Sequence, residues 1–224
     1  MSRLRRLCFS IAEKSLRAPL ASVKFFNPRG DIEKTEHKLP HWQQDEVPVF
    51  VTFRLADSLP QELLQTFLAD RERFLLDNPQ PWDEITEACY HGRFSDKLDE
   101  ALDAGHGCSA LRDPLIAQIV QERLHHFDDQ RYHLQSYAIM PNHVHVLFSL
   151  KEAESLPLIL QGWKGVSSRL IHKQGLSDLN PFWQAEYFDR LIRSPEHLEA
   201  VKGYIRDNPA KAGLRFGFIL WERS

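Results

Sequence analysis

The chain has 224 residues, 42% hydrophobic and 26% charged, an ordinary mix for a globular protein and enough length to bury a core without staples. Its 28 Lys and Arg against 31 Asp and Glu give a net charge of −3 and a pI near 6.4, so bulk charge does not mark it as a nucleic-acid binder. Cys8, Cys89 and Cys108 are odd in number and form no CxxC pair, which excludes a disulfide framework and points to a reduced, cytoplasmic setting. No apolar run approaches the ~18 residues of a membrane span.

At the start of the chain, Arg3, Arg5, Arg6, Lys14 and Arg17 are interspersed with Leu4, Leu7, Phe9, Ile11 and Leu16. No clean apolar stretch separates them, so residues 1–36 read as a basic arm or extension and not as a secretory leader. Residues 37–224 read as one domain. Val47–Leu55, VPVFVTFRL, is β-branched and aromatic and is expected to be a strand buried on both faces. Ser58-Leu59-Pro60 opens a helix, with Leu63, Leu64, Phe67, Leu68, Phe74 and Leu75 at helical spacing.

From Asn78 to Asp113 the apolar pattern breaks around Pro79, Pro81, Gly92, Gly105 and Gly107. This stretch reads as an insertion with one short helix near Asp96–Leu102. Asp113 and Pro114 suit the N-cap and first position of a helix carrying Leu115, Ile119, Val120 and Leu124. Tyr132–Met140 and His143–Leu150 are strands joined by a Pro141-Asn142 turn, hence antiparallel. Leu156–Gln174 is a helix ending at Gly175. Phe182–Arg193 is an aromatic, extended fourth strand. Ser194-Pro195 caps a last helix that Pro209 is expected to stop near Asn208. This order predicts an α+β fold, a ferredoxin-like antiparallel sheet with helices packed on it.

Two constellations carry chemistry. His143 and His145 are two apart on a strand, so their imidazoles share a face while Val144, Val146 and Phe148 point the other way. Two converging neutral imidazoles make a platform for a divalent metal. Without a Cys or HExxH partner, Mg²⁺ or Mn²⁺ with open positions fits better than zinc. A bare His-x-His is also what a solvated sheet face presents. Tyr204 and Asn208 are four apart on a helix, so a phenol and an amide could approach one ion together; each is equally at home as a boundary residue. Gly203, mid-helix, costs about 1 kcal/mol relative to alanine and suggests close approach of another backbone, a ligand or DNA. The C-terminal third also carries Lys164, Arg190, Arg193, Arg206 and Lys211, candidate phosphate contacts. Trp163, Trp183 and Phe188 are candidates to stack on unpaired bases, Trp183 equally a core residue.

The blocks Tyr137–Leu147 (YAIMPNHVHVL) and Tyr204–Leu214 (YIRDNPAKAGL) resemble the REP-associated tyrosine transposases, which belong to the single-tyrosine HUH transposases. Leu39–Trp42, Phe50–Pro60 and Phe182–Gln184 with Tyr187–Asp189 look like the same family, so the likeness spans roughly residues 36–221. The resemblance implies an HUH fold and a divalent metal on His143 and His145 with Asn208 as third ligand. It implies Tyr204 as the nucleophile that forms a 5′-phosphotyrosine. It also implies single-stranded, hairpin-forming palindromic DNA as partner, a monomer or homodimer, and a cytoplasmic, nucleoid-associated setting. The insertion at about 78–113 departs from the family pattern. A non-cutting hairpin-binding protein and a metal-dependent phosphodiesterase with a water nucleophile are the rival readings.

Overall fold

Alternation of apolar residues along three central strands, each buried on both faces, dictates helices on both sides of one sheet. The computed structural model describes residues 23–36, 40–79 and 82–224; the start of the basic arm, residues 1–22, lies outside them. The strands are β1 (Glu33–Glu36), β2 (Pro40–Gln43), β3 (Pro48–Arg54), β4 (Tyr132–Ile139), β5 (His143–Leu150), β6 (Phe188–Leu191) and β7 (Ile219–Glu222). The α-helices are α1 (Gln61–Asp77), α2 (Glu84–Tyr90), α3 (Asp96–Asp103), α4 (Pro114–His125), α5 (Leu156–Lys173) and α6 (Pro195–Lys211). β1 and β2 form a small hairpin; the other five strands make one antiparallel sheet in the order β6-β3-β5-β4-β7. Its first four strands have the ferredoxin-like arrangement expected of the α+β class. No helix among the described residues is long and apolar enough to cross a membrane.

The two faces of the sheet differ in what they bury. Val49, Val51 and Phe53 of β3 and Val144, Val146 and Phe148 of β5 pack with Val120, Leu124, Ile159, Leu160 and Trp163 of α4 and α5. On the other face, Ala138, Met140 and Leu147 pack with Leu198, Val201 and Ile205 of α6. The switch within β4 comes from a bulge. Leu134 pairs with Phe148 but Ser136 with Leu147, so Gln135 is an extra residue. That shifts the period-2 alternation by one and sends Tyr137 and Ile139 to the α4–α5 face and Ala138 to the α6 face. Upstream of the sheet, Phe26 donates its backbone N–H to Ile192 O at 2.9 Å and is itself buried, so the described end of the 1–36 extension packs on the domain.

Three expectations need correction, and one strand was not foreseen. The fourth strand is only Phe188–Leu191: between the Thr52–Phe188 and Leu55–Trp183 pairs β3 advances three residues and its partner five, so the ladder breaks and only a bridge remains at Trp183. Pro209 does not end α6. It forfeits one N–H near the helix terminus, and the following turn closes through Leu214 N–H to Pro209 O at 2.8 Å and Gly213 N–H to Ala210 O at 3.0 Å, with Gly213 left-handed at φ 69°. The insertion holds two α-helices, α2 and α3, joined by a π-helical turn over residues 91–95. Finally, Ile219–Glu222 adds an edge strand to β4; the Phe218-Ile219-Leu220-Trp221 run was its signal.

The insertion is pinned to the turn after β3. Asp57 Oδ2 accepts from Cys108 N–H at 2.7 Å, and a Cβ on Gly107 would lie 2.6 Å from Asp57 O. Gly105 and Gly107 are both left-handed, at φ 73° and 84°, but Gly105 faces open space. Gly105→Ala should therefore cost about 1 kcal/mol of strain, and Gly107→Ala distinctly more, because the clash with fixed backbone adds to it. Equal losses for the two variants in denaturant unfolding would contradict this account.

Candidate active site

The α6 face of the sheet carries the two sequence constellations, and the structure brings them together. β5 is the central strand, so His143 and His145 are buried at 1% and 0% exposure. Across β3 they lie opposite Arg54 and Thr52. Their Nε2 atoms face each other at 3.0 Å. His145 Nδ1 lies 2.8 Å from Thr52 Oγ1, and His143 Nδ1 lies 2.7 Å from Asn142 Oδ1.

The hydrogen-bond inventory fixes the tautomers. Asn142 Nδ2 donates to Leu102 O at 3.0 Å and His106 O at 3.3 Å, so its Oδ1 must accept. His143 Nδ1–H therefore donates to it, leaving a lone pair on His143 Nε2. His145 Nε2–H donates to that lone pair, and His145 Nδ1 accepts the Thr52 hydroxyl proton. A hydroxyl can donate or accept, so His145 can move its proton to Nδ1 without losing a partner. Both Nε2 lone pairs are then free for one ion, held by neighbours of the kind that orient metal-ligating histidines. Burial pushes His143 down to about 3. Burial, and then the nearby His143, push His145 well below the usual histidine value. Both rings are neutral, the form that ligates.

The third group is Asn208, which is also buried. Its Nδ2 donates to Tyr204 Oη at 3.1 Å, while its Oδ1 has no hydrogen-bond partner. An orphaned buried carbonyl costs about 1–3 kcal/mol unless something completes it. Two nitrogens bound to one ion through ~2.1 Å bonds at about a right angle stand ~3 Å apart, which the imidazole pair matches. The donor set of two imidazoles and one amide oxygen thus fits a divalent cation.

Tyr204 is half-buried, its ring edge-on to His145 at 5.3 Å and to Phe50 at 5.8 Å between centroids. The Asp99 carboxylate of α3 lines the same cavity as Tyr204. Burial first, then the charge and hydrogen bond of Asp99 and the charge of Asp103, raise the phenol well above the usual tyrosine value, with Arg190 opposing. The hydroxyl is therefore protonated at neutral pH and meets a carboxylate able to receive its proton.

The five basic candidates scatter. Lys211 Nζ stands 5.2 Å from the Tyr204 ring, and Arg190 lies 6.0 Å from the Phe50 ring. Arg193 is exposed, against Phe26 at 4.9 Å. Arg206 pairs with Glu222 at 3.1 Å. Lys164 belongs to α5, donates to Ala185 O at 2.6 Å, and is pushed down to about 8 chiefly by burial. Trp163 and Trp183 are core residues whose Nε1–H groups donate to Tyr132 Oη and Ser167 Oγ; of the three stacking candidates only Phe188 faces a cavity next to Tyr204. Outside its own helix, no heavy atom of the described residues comes within 4 Å of a Cβ placed on Gly203, so no other backbone among them explains that glycine.

Sequence reasoning missed Thr52, Asn142 and Asp99. Asn142 was visible only as a turn residue. A second acid-histidine cluster, Asp128, Asp129 and His133, lies at the far end of the β4–β5 hairpin. Arg223 bonds both of its carboxylates, which leaves little charge for an ion.

Residues 109–208 match the family described as "Transposase IS200 like"; this span contains His143, His145, Tyr204 and Asn208. No curated protein matches the chain in sequence. Among solved structures, a REP-associated tyrosine transposase bound to a REP hairpin is similar at 14% identity and a TM-score of 0.38, over 76% of this chain and 70% of that one. A candidate transposase from Deinococcus radiodurans R1 is similar at 13% identity and a TM-score of 0.32, over 82% and 98%.

A lowered histidine pKa has a definite sign in stability. Below the unfolded value of 6.5 the unfolded chain binds protons that His143 refuses until about 3, so stability falls as pH drops through that window and is fully present above it. In the presence of a chelator, denaturant unfolding of His143→Gln should show a flatter decline than the parent between pH 6.5 and 3. An unchanged slope would contradict the buried neutral state. Asn142→Ala removes both the insertion's anchor and the orienting partner of His143, and should weaken divalent-metal binding by about 10–100-fold, measured by calorimetry.

Proposed function

We propose, from the match of residues 109–208 to the IS200-like transposases, that the chain cuts and rejoins single-stranded DNA through a covalent link to Tyr204. The observation that carries this reading is the chain of contacts from paired imidazoles to nucleophile: His143 and His145 Nε2 at 3.0 Å, and an Asn208 amide that holds Tyr204 Oη at 3.1 Å while its own oxygen is unpartnered. The resemblance of residues 137–147 and 204–214 to REP-associated tyrosine transposases makes hairpin-bearing palindromic repeats the proposed substrate, and the cytoplasm, at the nucleoid, the proposed setting.

A divalent cation such as Mg²⁺ or Mn²⁺, held by His143 Nε2, His145 Nε2 and Asn208 Oδ1, would draw charge from a phosphate oxygen. The residues do the rest. Tyr204 Oη attacks phosphorus and its proton passes to the Asp99 carboxylate. The bond from phosphorus to the 3′-oxygen breaks, and that oxygen takes a proton from solvent. The products are a 5′-phosphotyrosine and a free 3′-hydroxyl. One phosphodiester replaces another, so a second 3′-hydroxyl can reverse the step and join strands without ATP. Arg190 and Lys211, beside Tyr204, are the proposed phosphate contacts at the cut. Arg193, Arg206 and Lys164 are proposed contacts only for more distant parts of the strand.

Labelled hairpin-bearing single-stranded DNA, incubated with the protein and Mn²⁺ and resolved on a denaturing protein gel, should give a labelled protein band. Tyr204→Phe should abolish the band and keep DNA binding; His143→Ala should remove the divalent dependence along with cleavage. Cleavage without a band points instead to a water nucleophile, and binding without cleavage to a hairpin-binding protein.

A further inference from the structure

A cavity of about 100 Å³ lies between the insertion, the sheet and α6, with Tyr204 as one wall. The metal chemistry does not use it. Its walls are largely aromatic and apolar: Phe50, Phe188, and Tyr90 and Leu98 from the insertion. A closed apolar cavity of roughly 150 Å³ takes up one benzene ring; this space is smaller but opens on one side, so it admits at most one planar ring and not a whole nucleotide.

The polar groups on its lining carry charge of both signs. Arg71 of α1 is only 7% exposed. Its Nε donates to Tyr90 Oη, and its guanidinium lies 5.4 Å from the Tyr90 ring and 5.9 Å from that of Phe188. Its NH1 has no hydrogen-bond partner. A buried guanidinium with an unmade donor costs stability, and a ligand acceptor in the cavity would remove that cost. Asp99 and Asp189 place carboxylates on the same lining. Arg190 adds a second guanidinium to that lining, so charge of both signs is balanced there, which suits a neutral group with both acceptors and N–H donors. A planar group presenting acceptors and N–H donors on one edge, stackable on aromatic rings, is a nucleobase.

We propose that this cavity receives one unpaired base of the DNA strand, that of a nucleotide flanking the phosphate presented to Tyr204. The base stacks among Tyr90, Phe188 and Phe50, and Arg71 NH1–H donates to an acceptor on its edge. The insertion at 78–113 thereby supplies half of a specificity pocket. The proposal rests on the strand-cutting reading for its choice of DNA but not on cleavage itself.

The test uses the full chain and the hairpin-bearing single-stranded DNA above, in chelator so that no cutting intervenes. 5-Iodo-2′-deoxyuridine is moved one nucleotide at a time along the single-stranded flanks and crosslinked by light, and the peptides are mapped. Crosslinks to Tyr90 or Phe188 are expected from one position only. An abasic nucleotide at that position should weaken binding by about tenfold or more. In Arg71→Met, and in Ser95→Phe, which fills the cavity from its rim, the abasic change should cost much less. The crosslink map in the parent chain needs neither variant to fold. Absence of any crosslink to these two rings, or an abasic penalty undiminished in folded variants, overturns the pocket. A crosslink that persists when no tyrosine adduct can be formed with Mn²⁺ overturns the cutting reading and leaves the pocket standing.

Discussion

Everything at the site depends on keeping two neutral imidazoles buried on the central strand. Burying a polar ring without partners is expensive, so each ring nitrogen needs a hydrogen bond that leaves both Nε2 atoms aimed at one point. Thr52 meets this need from the neighbouring strand and Asn142 from the preceding turn. Asn142 can do so only because Leu102 O and His106 O occupy its amide nitrogen. The insertion is thus tied into the geometry of the two imidazoles although it contributes no group to the proposed metal site.

The sheet makes room for this arrangement. In register, His145 lies between Thr52 on β3 and Ala138 on β4. Both neighbours are small, which leaves space on the α6 face for Tyr204. Ala138 is there because Gln135 bulges; without that extra residue Tyr137 would face α6 and fill the site. The Tyr137 hydroxyl is instead held on the far face by Gln121 at 2.9 Å and His125 at 3.0 Å. A backbone irregularity thus decides which side chain the nucleophile meets.

Much of this was legible in the sequence because it follows from two periodicities. The period of two placed His143 and His145 on one face with Val144, Val146 and Phe148 opposite, and the helical period placed Tyr204 one turn from Asn208. What stayed illegible was set by tertiary contact. Nothing local marks Asp99 as a partner of Tyr204, because α3 reaches α6 only through the fold. Arg190 and Lys211 stand near Tyr204 while Arg206 is spent on Glu222, a distinction no charge count could draw. Pro209 misled for a physical reason: a proline is costly in a helix interior, where a following turn depends on it, but the Gly213 closure takes over two residues beyond α6.

The charges around Tyr204 constrain how it can react. Asp99 and Asp103 oppose formation of a free phenolate, and Arg190 opposes them only in part. A nucleophile of this kind cannot wait ionised for its substrate. As the proposed nucleophile it would lose its proton as the bond to phosphorus forms, with the nearby Asp99 carboxylate to receive it. The same carboxylate lies on the lining of the base-sized cavity. Leu98 and Asp99 of α3 thus join the proposed proton acceptor to one wall of the proposed base pocket, within the segment where the sequence pattern is least regular.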